Sequence, residues 1–435
     1  MYCGYVTTIK ELHKHSNADR LQCSTIFGSN VIVDLSYSVG QRVVYFPVDG
    51  QLSEEYANEN NLVRKKDENG NNIGGYLDPD KRNITAIKLR GEKSDGLVLP
   101  IESLAKFTDI TKLTDGMQIT ALGDHEICRK YIPRRNTARH TDGDVSKTRK
   151  RRDEQKASYP FFIEHIDTAQ LAYNEGAFKP GDICYITLKM HGTSARTANT
   201  IEVSRPKRNL IQRIFRIRPK EKRAYKYISG TRRTTLTNYN GGYYGSNAFR
   251  EKYHNLFKER LPKGVEVYYE IVGWVDDNKT IMGRCSNSLI KDKEFARQYG
   301  DETVFSYGCD VGQNDCYVYR MTMTNEDGYM VELPWEQVKL ECEKMGVKHV
   351  PEFDKFIFTT WDDLMSRVEK YYDGADPIGR THVREGVVVR IDNKPSFTAY
   401  KHKNFSFKCL EGIIKDNSDA PDIEEAEELI IEDVS

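Results

Sequence analysis

Lys189-Met190-His191-Gly192-Thr193-Ser194 comes directly after Ile183-Cys184-Tyr185-Ile186-Thr187-Leu188. The run before the lysine is apolar and rich in β-branched and aromatic residues, and the glycine three positions on marks a turn. This predicts a lysine at the end of a strand feeding a tight turn. Alone, such a short pattern recurs by chance in any chain of this length. It gains weight from four later motifs, in this order: Tyr268-Tyr269-Glu270-Ile271-Val272-Gly273, Tyr317-Val318-Tyr319, Arg384-Glu385-Gly386-Val387-Val388-Val389-Arg390 and Tyr400-Lys401-His402-Lys403-Asn404.

That series resembles the ordered motifs of the covalent nucleotidyltransferases, the superfamily of DNA ligases, RNA ligases and capping enzymes. His191, where DNA ligases and capping enzymes carry Asp, makes the chain similar to an RNA ligase. The resemblance implies an α+β nucleotidyltransferase (ligase) domain with antiparallel sheets. It also implies an ATP-dependent activity joining an RNA 3′-OH to a 5′-phosphate through lysyl-AMP and AppRNA.

Lys189 is then the nucleophile. Its amine must be neutral to attack, whereas a free lysine titrates near about 10.4, so neighbouring cations or a metal have to activate it. By the same resemblance, His191, Gly192, Thr193, Arg196, Glu270 and Tyr319 bind ATP, with Tyr319 stacking on adenine and Glu270 meeting the ribose or a metal. Arg320 departs from the family pattern, where many ligases have Asp. Glu385, with Glu270, is expected to bind Mg²⁺ or Mn²⁺, hard cations that prefer oxygen ligands. Lys401 and Lys403 share a strand face and are expected to neutralise the α-phosphate as charge develops. Arg232 and Arg233, close to a basic stretch from Arg205 to Lys226, are expected to contact RNA. Phe162-Ile163-Glu164-His165-Ile166-Asp167-Thr168 resembles a stretch of RNA ligases with an N-terminal OB domain; a lone histidine is more often structural, so His165 is left out of the catalytic set.

At 435 residues the chain is long enough for two domains. Its hydrophobic content of 38% fills real cores, while 30% charged residues implies much solvated surface. No apolar run reaches the roughly 18 residues of a membrane span, and Met1-Tyr2-Cys3-Gly4 begins no signal peptide, so a cytoplasmic location is expected. Nine scattered cysteines without a C-x-x-C argue for reduced thiols, against a disulfide framework or zinc ribbon. The net charge of zero conceals an asymmetry. Residues 416–435 hold nine acids and no Lys or Arg, so residues 1–415 carry +9. A basic body suits a polyanionic partner such as RNA.

Four segments are expected. Residues 1–125 read as an all-β OB-fold barrel, from runs such as Val31–Leu35, Arg42–Phe46 and Gly96–Leu99 and from Ser16–Leu21 and Lys88–Leu97, which resemble the OB module of some tRNA-binding proteins. Within it, Asn58 to Asp80 reads as a long loop. Residues 126–158 form a basic linker: positions 129–156 hold eleven Lys or Arg against four acids. Residues 159–415 are the ligase domain and 416–435 an acidic tail. In the ligase domain, Trp335, Val338, Cys342 and Met345, and Trp361, Leu364, Met365, Val368, Tyr371 and Tyr372, follow helical spacing. A monomer is expected. Two other readings stay open: a GTP-using capping-type enzyme, and an RNA-binding adaptor with an inactive ligase-like domain.

Overall fold

Arg42-Val43-Val44-Tyr45-Phe46 forms the strand that its β-branched and aromatic residues predict, with four of the five buried. In the computed structural model, which describes residues 2–132, 150, 153–204, 220–240, 244 and 246–417, this strand lies in the first of two compact units. That unit comprises residues 1–136 and 405–417. Its main sheet is antiparallel, in the order Leu97–Pro100 (β3), Arg42–Phe46 (β2), Gly4–Thr8 (β1), Gln118–Ile119 (β4). Leu21–Ile26 pairs with His13–Lys14 and Ser29–Asp34 in a second small sheet, and Gly50–Leu52 with Asn83–Ile84 and Cys128–Lys130 in a third. Among the described residues none of these sheets closes on itself. Val6, Val44, Phe46, Leu52, Tyr56, Leu99 and Ile119 join a common core.

The stretch expected as a long loop holds local structure. A short helix, Glu54–Glu59, enters it, and Lys65–Lys66 pairs with Asn72–Gly74. Arg129 and Lys130, expected in a linker, lie in a strand paired to Gly50–Leu52. The rest of the basic stretch up to residue 149, most of that from Arg205, and the acids beyond residue 417 lie outside the described residues. The terminal helix Phe405–Asn417 groups with the first unit: Lys408 pairs with Asp95, Lys93 lies over the Phe405 ring, and the Cys409 thiol faces the Ala86 carbonyl.

The described residues of the second unit lie between 150 and 404. One sheet runs Ala169–Gln170, Ala399–Lys403 (β12), Gly386–Ile391 (β11), Ile183–Lys189 (β5), Glu352–Ile357 (β10), antiparallel except at its first pair. The other is built on Lys222–Thr231 (β7), Thr193–Ser204 (β6), Val265–Gly273 (β8) and Asn314–Thr324 (β9) in that order. Eight of the nine β8 residues are buried, as befits a central strand covered on both faces.

Three of the described helices flank these sheets. Ala248–Phe257 (α1) lays Phe257 on Tyr269 of β8, ring centroids 4.9 Å apart. Trp335–Met345 (α2) begins after Pro334 and ends at Gly346 in the left-handed region, and it buries Trp335, Val338 and Cys342. Trp361–Tyr371 (α3) is capped by Thr360, whose hydroxyl accepts from the Asp363 amide at 3.2 Å. Its apolar face, with Leu364 and Val368, packs on Cys184, Ile186, Val387 and Val389 behind β5 and β11. Among the described residues no helix is long and apolar enough to cross a membrane, and no disulfide forms.

Candidate active site

Strand register assembles the first half of the site. Lys189 is the last residue of β5 and pairs with Gly386, which on its other side pairs with Lys403. The two lysines therefore flank the position next to Glu385. Glu385, only 3% exposed at its side chain, has Oε1 2.7 Å from Lys189 Nζ and 3.4 Å from Lys403 Nζ. Its Oε2 stands 3.8 Å from His191 Nδ1. Two cations around one carboxylate leave a positive excess, the right sign for a polyphosphate. Lys401 lies two residues before Lys403 on β12, hence on the same face.

Gly386 makes this register possible. Its φ is +145°, and a Cβ would stand 2.1 Å from the His402 carbonyl oxygen. Any side chain there would push β12, and with it Lys403, away from Glu385.

The turn after Lys189 carries the chain into the second sheet. At Gly192 a Cβ would stand 2.3 Å from the Ile271 carbonyl oxygen, so the glycine lets the turn pass close over β8. His191 is held from two sides: its amide donates to the Tyr307 hydroxyl at 2.7 Å, and its ring meets Phe305 edge-on at 4.6 Å. Burial holds the Tyr307 phenol far above its ordinary value, so it stays protonated.

Ser194 pairs directly with Glu270, and its hydroxyl donates to Glu270 Oε2 at 2.9 Å. Tyr317 is the β9 partner of Glu270, and Tyr319 is the extra residue where the β8–β9 register shifts, its phenol beside Ser194 and Glu270. The Tyr319 hydroxyl is 3.0 Å from His165 Nδ1, with the two rings perpendicular. Burial, with the Arg232 cation next, pushes the His165 imidazole down to about 3, so it is neutral near pH 7. Thus Lys189, His191, Glu385 and Lys403 form one cluster, and Ser194, Glu270, Tyr319 and His165 another, joined by the Gly192 turn.

Other expected site residues have different settings. Thr193 points to the opposite face of β6, where its hydroxyl accepts from Arg250 Nη2 at 2.6 Å. Arg196 is 1% exposed. Its guanidinium lies 3.8 Å from the Phe162 ring centroid and donates to the Ile163 and Thr231 carbonyls at 2.6 and 3.0 Å. Arg232 and Arg233 both reach Asp167, the latter at 3.5 Å. The departure at Arg320 has a structural account: fully buried, it forks onto the Glu332 carboxylate, with Nε 3.1 and 3.0 Å from its two oxygens, and lies over the Tyr268 ring. A basic residue there braces β9 against its neighbouring strand.

Several residues of this site carried no usable signal in the sequence. Arg250 looks like an ordinary helix-surface charge in Ala248-Phe249-Arg250-Glu251, and Phe305 and Tyr307 sit in no motif. His165 did stand in a quoted stretch, and only the fold shows that it meets Tyr319.

The sequence profile of a family described as RNA ligase matches residues 182–410, more than half of the chain and the whole interval from Lys189 to Lys403. The chain belongs to the RNA ligase family. Its fold is similar to that of Naegleria gruberi RNA ligase. The structure of a glutamate-to-alanine mutant of that protein with AMP and Mn is 15% identical at a TM-score of 0.56, covering 94% of this chain and 98% of that one. The structure with pyrophosphate is 16% identical at 0.55, with the same coverage. A second glutamate-to-alanine mutant, with ATP and Mn, is 15% identical at 0.56, again covering 94% and 98%. At such identities the likeness concerns the fold. Comparison with curated proteins gives no match. His165, Asp167 and the Phe162 ring under Arg196 precede the profile match, yet they adjoin residues inside it.

Proposed function

We propose that the chain is an ATP-dependent RNA ligase that works in three steps: lysyl-AMP formation, AMP transfer to an RNA 5′-phosphate, and attack of a 3′-OH on the resulting AppRNA with release of AMP. The observation that carries this is the convergence of Lys189, Glu385 and Lys403 at adjoining strand positions. In the first step Lys189 Nζ attacks the α-phosphorus. The N–P bond forms, the bond to the bridging oxygen breaks, and pyrophosphate leaves. Glu385 orients the amine, and Lys401 and Lys403 stabilise the charge that builds on the α-phosphate. Tyr319 supplies the face on which adenine stacks, and Glu270, fixed by Ser194, receives the ribose. His191 and Gly192 shape the turn, while Thr193 and Arg196 support it from within the protein. Arg232 and Arg233 meet RNA phosphate.

A divalent cation fits the donor set. Glu385 and Glu270 offer hard oxygen ligands, and among the described residues no cluster of three His, Cys, Asp or Glu forms a dedicated cage. That suits Mg²⁺ or Mn²⁺ held by a carboxylate, phosphate oxygens and water. Such an ion would offset charge on the nucleotide. The Naegleria structures with AMP, ATP and Mn lend support to this reading.

We read residues 1–125 as an OB module that binds RNA, 126–158 as a basic linker apart from its strand Cys128–Lys130, 159–415 as the ligase domain apart from the terminal helix that groups with the first unit, and 416–435 as an acidic tail. RNA repair is the role that joining broken ends would serve. Incubation with ATP, Mg²⁺ or Mn²⁺ and 5′-phosphorylated RNA should yield AppRNA and joined product. A 5′-hydroxyl RNA should yield neither, and labelled GTP should not replace ATP. Joining without any AppRNA, or labelling by GTP alone, would contradict the proposal.

A further inference from the structure

Arg250 is a buried guanidinium to which the three-step scheme gives no task. It keeps 4% of its surface exposed and projects from α1 toward the face of β6 opposite Glu270. Its Nη1 donates to the Ser194 carbonyl at 3.0 Å and its Nη2 to Thr193 Oγ1 at 2.6 Å. Both bonds therefore fall on the two residues that come after the Lys189–Gly192 turn. Burying a guanidinium is costly unless donors find good acceptors, and charge-assisted bonds of this kind are the strong ones. Gly192, with no side chain, adds nothing to stiffen the turn at this point.

We infer that Arg250 is a positioning residue of the adenylylation step: from the helix-covered face it fixes the start of β6, and so the turn that presents Lys189. The effect reaches Glu270 as well. Ser194 gives its carbonyl to Arg250 and its hydroxyl proton to Glu270 Oε2 on the opposite face. Moving the Ser194 backbone would thus release a carboxylate of the nucleotide site. Because Thr193 Oγ1 accepts from Arg250, its threonine serves as an anchor, which accounts for a hydroxyl at a position facing away from Glu270. This role rests on the ligase reading.

The test uses the full chain with Arg250→Met, Arg250→Lys, Thr193→Val and the combination of Arg250→Met with Thr193→Val. Single-turnover transfer of AMP to the protein is followed at graded ATP, with the unfolding midpoint measured alongside. Arg250→Met should lower the saturating rate at least tenfold while half-saturating ATP shifts less. Arg250→Lys should recover part of the rate. Thr193→Val should cost less alone and add little to Arg250→Met, since the bond it removes is already gone. An unchanged saturating rate in Arg250→Met, independent losses in the double variant, or a loss that tracks only the unfolded fraction would each overturn the role. Should Arg250→Met fail to fold, a folded Arg250→Lys with the wild-type rate would overturn it equally. Wild-type protein that takes up no AMP would instead sink the ligase reading itself.

Discussion

Lys189 and its partners show how far single residues can be read from sequence. Lys189, Glu385 and Lys403 were legible because a strand-ending lysine, an acid before glycine and two alternating lysines have an order that chance rarely reproduces. Arg250 and Tyr307 were not, because their role depends on which helix or loop arrives behind the turn. Two residues yield direct tests. Gly386→Ala places a Cβ 2.1 Å from the His402 carbonyl at φ +145°. Backbone strain of this kind costs about 1–3 kcal/mol, and AMP transfer should fall at least tenfold as Lys403 is displaced. Normal transfer in that variant would show that the register is not needed. His165 supplies a pH test. Its imidazole is pushed from the ordinary 6.5 down to about 3 by burial, with Arg232 next. Below 6.5 the unfolded chain takes up a proton that the folded chain refuses, so stability is full above 6.5 and falls as pH drops from there toward 3. Denaturant unfolding of wild type and His165→Gln should show the wild type losing more stability over that range; parallel profiles would place the imidazole in contact with water.

At the scale of elements, the helices read from apolar spacing are present, since α2 and α3 bury the stripes that their sequences announce. The strands of the site were also legible in kind, but their neighbours were not. Nothing in Ile183–Lys189 says that Gly386–Ile391 lies on one side and Glu352–Ile357 on the other, because pairing is chosen by burial across the whole sheet. The N-terminal strands show the same limit: Arg42–Phe46 was clear, whereas its pairing with Gly4–Thr8 on one side and Leu97–Pro100 on the other was not. The core that backs the site can be tested apart from its chemistry. Leu364 of α3 is fully buried against β5 and β11, so Leu364→Ala should lower stability by about 2–5 kcal/mol. Well below its melting temperature the variant should still transfer AMP, and a loss of transfer in the fully folded variant would mean that α3 does more than support the sheet.

For the whole molecule, charge distribution and motif order point the same way. A body of residues 1–415 at +9, with nine acids confined to the last twenty residues, predicts salt-sensitive binding to RNA. With several phosphates engaged, affinity should fall about tenfold or more between roughly 50 and 200 mM salt, as filter binding would show; a flat profile would remove the electrostatic argument for an RNA partner. The central claim concerns the covalent step. The protein should be incubated with ATP and Mg²⁺ or Mn²⁺, digested, and the AMP-bearing peptide located by mass spectrometry. The account predicts a single adduct on Lys189, absent from Lys189→Ala; AMP on another residue, or an unchanged adduct in Lys189→Ala, would contradict it.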